Sequence, residues 1–287
     1  MNAPQEQFAL TCPAFVEQVH LVVNDLAQVS QFYQRVIGLS VLEKSASGEV
    51  LGVAGKPLLT LTTRQDVVRP PRSAAGLFHT AFLVPTRQDL AHWLAHVAAN
   101  DVRLEGASDH LVSEALYLSD PEGNGIEIYR DRQPDEWAYH DDGTVEMATA
   151  RLDLQELHAS APQVLWSGMA EGTSVGHIHL QVGGVPQAEA FYRDVLGLKV
   201  MARYPGASFF ATGGYHHHVA ANIWNSRGAG PRQENMMGLT DYTLRFKDPK
   251  TCTSALESLE KQQIDTVRTS DGWSVKDPWG IGIKLSS

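Results

Sequence analysis

The sequence predicts an α+β protein assembled from four strand–helix–strand units in two pairs. Three observations predict it. Strand-period and helix-period stretches follow one another and then restart within the first half of the chain. The halves then repeat: VHLVV at 19–23 matches IHLQV at 178–182, and FYQRVIGLSV at 32–41 matches FYRDVLGLKV at 191–200, both at an offset of 159. Finally, DPEGNGIEI at 120–128 matches DPWGIGIKL at 277–285, at an offset of 157. Units repeating at that distance are duplicated domains, because solenoid repeats are far shorter.

The elements follow in order. FVEQVHLVV alternates as a strand, with Val19, Leu21 and Val23 on one face and His20 on the other. In NDLAQVSQFYQRVIGLSV the apolar residues recur at helical spacing; Asp25 can cap the start and Gly38 the end. Short strands are expected near Val50–Val53 and Leu58–Thr63, before the polar connector RQDVVRPPRSAAG. GLFHTAFLVP restarts the pattern as a strand carrying His79, and RQDLAHWLAHVAAN is an amphipathic helix that turns Leu90, Trp93, Leu94 and Val97 inward. Ser108–Tyr129 then reads as a hairpin whose turn, Asp120 to Gly125, is rich in residues that accept turn backbone angles. In its second strand Glu127 stands between Ile126 and Ile128 and must face away from both. The expected division is an amino-terminal metal-binding domain over residues 1–135, a linker over 136–170 with a short helix near Leu152–Leu157, and a carboxy-terminal domain over 171–287.

Composition bounds the function. The chain has 287 residues, enough for two cores, and 43% hydrophobic with 20% charged residues is ordinary for a globular protein. No run approaches the roughly 20 apolar residues of a membrane span. MNAPQEQFALTCP shows no basic and then apolar leader pattern, so a cytoplasmic protein is expected. Two distant cysteines, Cys12 and Cys252, form neither a disulfide framework nor a CxxC metal site. A net charge of −10 without a Lys/Arg cluster disfavours nucleic acid and membrane surfaces, which leaves a small molecule as partner.

HLVVNDL…FYQRVIGLSV, GLFHTAFLVP and SDPEGNGIEIY resemble the vicinal oxygen chelate superfamily, which includes glyoxalases, fosfomycin- and bleomycin-resistance proteins and type I extradiol dioxygenases. The resemblance runs from about residue 15 to 285, and the two-domain length with the Ser108–Tyr129 segment is most similar to the catechol 2,3-dioxygenase group. It implies tandem βαβββ units, two per domain, each pair curling into an open barrel-like sheet around a cavity. It also implies metal ligands on first and last strands, at His20, His79 and Glu127. Each is the polar residue between apolar or β-forming neighbours, so all three can face one interior. Two imidazoles and one carboxylate suit a non-haem Fe(II) oxygenase, with Mn the alternative that the same ligand types allow. The implied reaction joins a small aromatic diol with O₂, and a homo-oligomer is expected.

His110 and Tyr117 are the expected acid–base residues. Histidine exchanges protons near neutral pH, and a phenol ten residues before Glu127 can reach a substrate oxygen from the neighbouring strand. Asp241 and Lys284 stand in the second half where His79 and Glu127 stand in the first, so the equivalent carboxy-terminal site is expected to have decayed. His177, His179, His216 and His218 form a further histidine group, with YHHHVAANIW read as a strand. A hydrogen-bonded cluster is the favoured reading there and a second metal site the alternative. A glyoxalase-like lyase or isomerase is disfavoured because LLTLTT offers no Glu, His or Gln as a fourth ligand. A ligand-sequestering protein of the bleomycin-resistance kind would need no metal triad.

Overall fold

The computed structural model describes residues 6–287; the first five residues of the expected amino-terminal domain, and of the start inspected for a leader, lie outside the described residues. Each unit is strand, helix and three strands. The first has β1 (Ala14–Val22), a helix Leu26–Phe32 that widens into a π turn at Tyr33–Ile37, and β2 (Ser40–Lys44), β3 (Gly48–Val53) and β4 (Lys56–Thr62). The second has β5 (Gly76–Leu83), the helix Arg87–Ala99, β6 (Gly106–Asp109), β7 (Ser113–Ser119) and β8 (Gly125–Asp131). The third repeats the π-turned helix at Val185–Glu189 and Ala190–Val195, between β9 (Ser174–Gln181) and β10 (Lys199–Tyr204), β11 (Ala207–Ala211) and β12 (Val219–Asn222). The fourth has β13 (Gly238–Phe246), the helix Pro249–Lys261, β14 (Thr266–Thr269), β15 (Gly272–Lys276) and β16 (Gly282–Ser286).

Local chemistry sets the element ends. The Asp25 carboxylate accepts from the Gln28 amide and starts the first helix. Gly38 ends it at φ +91°, where its amide and that of Leu39 both donate to the Tyr33 carbonyl. The repeated D-P-x-G turn is held by its aspartate: Asp120 Oδ1 accepts from the Glu122 and Asn124 amides, and Asp277 Oδ1 from those of Trp279 and Ile281. Ile126, Ile128, Leu90, Trp93 and Val97 are all buried in one continuous core that also takes residues of the other units.

The units combine differently from the expected division at 136–170. One sheet runs β14-β15-β16-β13-β1-β4-β3-β2 and the other β10-β11-β12-β9-β5-β8-β7-β6. Thus the first unit pairs with the fourth and the second with the third, through the antiparallel contacts β1–β13 and β5–β9. Sequence repeats identify the units, but which first strands meet is decided by long-range pairing. The segment between the halves is more than a spacer. Its helix, Leu154–Ala159, is tied to the helix Arg87–Ala99 by the Arg87–Glu156 ion pair, and Asp109 and Ala150 exchange two backbone hydrogen bonds. Among the described residues, no helix is long and apolar enough to cross a membrane.

Candidate metal centre

The sheet made by the second and third units curls around a cleft of about 900 Å³. Strand alternation decides what enters it. On β8, Ile126 and Ile128 go to the core, so Glu127 faces the cleft side, where it is 3% exposed. On β5, His79 faces the same side, and Gly125 lets β8 lie close beside it: a Cβ at that glycine would stand 2.0 Å from the Phe78 carbonyl oxygen. On β9, antiparallel to β5, the buried imidazoles of His177 and His179 both lie beside His79, with ring centroids 5.5 and 4.9 Å away.

Three donor atoms converge. Glu127 Oε2 lies 3.0 Å from His79 Nε2 and 3.2 Å from His177 Nε2, and the two nitrogens are 3.3 Å apart. Two bonds of about 2.1 Å at right angles put their donor atoms about 3 Å apart, so this triangle fits one face of a divalent ion. Among the described residues, His79, Glu127 and His177 are the one group of three or more such side chains able to hold a metal. The donor chemistry fits as well. Burial pushes the Glu127 carboxyl up, but the His177 and His79 imidazoles beside it outweigh that and hold it well below the usual carboxylate range. Burial lowers His177 to about 4, against the pull of Glu127, so its lone pair is free at neutral pH. One carboxylate and two imidazole nitrogens are the donor types that a divalent cation of the Fe(II) or Mn(II) class takes up.

His20 is the correction. It lies on β1 in the other sheet, where Nδ1 donates to Asp241 Oδ2 at 3.0 Å and Nε2 accepts from the Thr62 hydroxyl at 2.7 Å. Its counterpart is His179, whose Nε2 likewise meets a fourth-strand side chain, the Asn222 amide nitrogen at 3.0 Å. The β9 imidazole that joins the three converging donors is His177, two residues earlier on the same face, and the place of His177 on β1 is taken by Gln18. Asp241 and Lys284 stand where His79 and Glu127 stand in the site sheet and pair with each other at 2.7 Å.

His110 and Tyr117 are brought together. Tyr117 is the cross-strand partner of Glu127, and its hydroxyl lies 2.7 Å from His110 Nε2. The tautomer follows from the other ring nitrogen. Nδ1 lies 2.6 Å from the Ala148 carbonyl, which can only accept, so Nδ1 carries the proton and Nε2 accepts from the phenol. Burial, with Glu127 nearby, raises the Tyr117 phenol well above its usual value and keeps it a donor. Met147, Ala148 and Thr149 wall the cleft, so the expected linker supplies part of the site.

The remaining histidines form no second metal group among the described residues. His216, His217 and His218 precede β12 rather than lie on it, so strand alternation does not order them. His218 Nε2 donates to the Ala9 carbonyl, and His216 Nε2 donates to Asp131 Oδ1 at 2.8 Å. The His216 Nδ1 left as acceptor takes the Nδ1 proton of His217 at 2.8 Å. His217 lines the cleft, and this chain fixes its Nε2 as a lone-pair donor. Sequence reading passes over His217 because only the fold brings Asp131, 85 residues away from His216, into the chain.

A family model for the Glyoxalase/Bleomycin resistance protein/Dioxygenase superfamily matches residues 15–128 and 174–285. A catechol-2,3-dioxygenase of Bacillus subtilis (strain 168) is 38% identical over 262 residues, covering 90% of this chain and 92% of that one. Among solved structures, a putative dioxygenase from Bacillus subtilis subsp. subtilis str. 168 aligns with a TM-score of 0.64 at 12% identity, over 94% of this chain and 84% of that chain. Glyoxalase I from Zea mays aligns with a TM-score of 0.58 at 13% identity, over 97% and 94%. At those identities the structural likenesses show the fold alone.

Proposed function

The chain belongs to the Glyoxalase/Bleomycin resistance protein/Dioxygenase superfamily, and on that premise we propose that it is an extradiol dioxygenase. It opens a catechol-type ring beside the two hydroxyls and places both atoms of O₂ in the product. The observation that carries this reading is the convergence of His79, Glu127 and His177 beside a hydrogen-bonded imidazole–phenol pair in one cleft. The 38% identical relative named catechol-2,3-dioxygenase supports it. His79, Glu127 and His177 would hold Fe(II), with Mn(II) the alternative, and the ion would supply Lewis-acid and redox chemistry to the reaction.

The protein's own groups do the rest. Phe78, Phe209 and Trp224 line the cleft and give a flat substrate apolar faces to lie against. Tyr117 holds its proton and donates to His110 Nε2, so a substrate hydroxyl that donates to the phenol oxygen can pass a proton through it to His110. His217 Nε2 offers a second acceptor on the cleft wall, oriented from behind by His216 and Asp131. Two bases on different walls suit a reaction that takes one proton from the diol and later returns one to oxygen.

The test mixes protein loaded anaerobically with Fe(II) with catechol and then admits air. A yellow ring-opened product is expected. Bound iron with no ring-opened product from a panel of catechols would contradict the reading.

A further inference from the structure

The cleft has a second chemical feature away from the three donors. Arg69, Arg72 and Arg232 line it, and none forms a salt bridge with an acidic side chain among the described residues. Two acidic side chains besides Glu127 also line it, but both are engaged: the Glu122 carboxylate accepts from the Asn24 and Asp25 amides, and Glu105 from the Ser119 hydroxyl at 3.1 Å. Counted with Glu127 the carboxylates equal the arginines, so what matters is where each arginine stands and which of its nitrogens are open.

Arg232 is the best placed of the three. Its backbone amide donates to the Trp279 carbonyl, and its Nη2 donates to the Met236 and Met237 carbonyls, both at 3.1 Å, so the side chain is fixed in its loop. Nη1 and Nε have no hydrogen-bond partner among the described residues. Nη1 lies in space that only a glycine leaves open: a Cβ at Gly76 would stand 2.5 Å from it. The register of β5 against β9 shows what that seat faces. Gly76 pairs with Gln181, Leu77 with Leu180, and His79 with His179, with an irregularity that leaves Phe78 as the extra residue. The bulge resets alternation, so Leu77 packs on the core while Gly76 and His79 share the cleft side. Their partners Gln181 and His179 are two residues apart on β9, so Gly76 lies roughly 7 Å from His79 along the sheet. An aromatic ring held at the donors and carrying a short acidic side chain spans a comparable length.

We propose that Arg232, seated on Gly76, is a carboxylate-recognising residue, and that the substrate class is an aromatic diol bearing an acidic side chain. The proposal rests on the dioxygenase reading for the diol end and on Arg232 for the other. Hydrogen bonds from a guanidinium to a carboxylate are charge-assisted, and with Nη2 held by two carbonyls it is Nη1, over Gly76, that is open to supply one.

The test is calorimetric titration of Fe(II)-loaded protein, without O₂, with 3,4-dihydroxyphenylacetate and with its carboxamide, which has the same shape and no charge. The acid is expected to bind about 10- to 100-fold more tightly than the amide. That ratio is expected to fall towards one in Arg232→Gln and to be intermediate in Arg232→Lys, which keeps the charge but not the planar group held by the Met236 and Met237 carbonyls. Equal binding of acid and amide by the unaltered protein would overturn the proposal without any variant, and so would a ratio unmoved in Arg232→Gln. Admitting O₂ afterwards separates the two readings: ring-opened product from neither compound contradicts the dioxygenase, while the binding ratio still reports on Arg232.

Discussion

His79 and His177 meet across the antiparallel junction of β5 and β9 with their Nε2 atoms 3.3 Å apart, although 98 residues separate them in the chain. Neither half of the sequence contains the site. It exists because the second and third units share a sheet, and the one carboxylate that completes it comes from β8, hydrogen-bonded to β5 on the other side.

The imidazole–phenol pair should act as a unit. Tyr117→Phe removes the hydroxyl 2.7 Å from His110 Nε2 and leaves the three donors in place. Iron content is expected to stay near that of the unaltered protein while turnover falls about 100-fold. His110→Gln in the Tyr117→Phe background should add little, because the two act through one hydrogen bond. Loss of iron in Tyr117→Phe, or fully multiplicative effects, would contradict that coupling.

Gly125 is needed for closeness. A methyl group there meets the Phe78 carbonyl oxygen at 2.0 Å and His79 Cβ at 3.2 Å, so Gly125→Ala must push β8 from β5. The variant is expected to lose about 1–3 kcal/mol of stability and to bind metal at least about tenfold more weakly. Denaturant unfolding and metal titration check both, and unchanged metal affinity would show that the strand spacing does not set the donor triangle.

A buried aspartate makes stability depend on pH. Burial raises Asp277 to about 6. The unfolded chain then loses this proton first as pH rises from about 4, so the native state loses stability between pH 4 and 6 and the loss is constant above. A carboxyl raised that far above its ordinary value costs about 2–3 kcal/mol once it must ionise in the folded state. Asp277→Asn keeps the oxygen that accepts from the Trp279 and Ile281 amides and removes the titration. Relative to the unaltered protein, it should therefore gain about that much between pH 4.5 and pH 7 in urea unfolding. Parallel pH profiles would contradict the assignment.

Much of the site was legible because strand alternation is local. Ile126 and Ile128 committed Glu127 to the opposite face, and the hairpin turn set Tyr117 across from it; both are seen. The repeat at an offset of 159 also matched His20 with His179 correctly, since each bonds a side chain of its unit's fourth strand. What it could not reveal was that His177 is the imidazole converging on Glu127 and His79, because residues two apart on a strand share a face and periodicity cannot choose between them. Nor could it reveal the partner unit, since four similar first strands can pair in more than one way. The His216–His218 run misled for a different reason: an apolar tail, VAAN, made it read as strand, but its three imidazoles are each held by a separate partner before β12 begins.

The central claim is that the second and third units, and not the first, hold the metal. Elemental analysis of His177→Ala and His20→Ala, both isolated without chelators and compared with the unaltered protein, tests it most directly. His177→Ala is expected to lose the divalent ion and His20→Ala to keep about one per chain. Iron retained in His177→Ala and lost in His20→Ala would contradict the account.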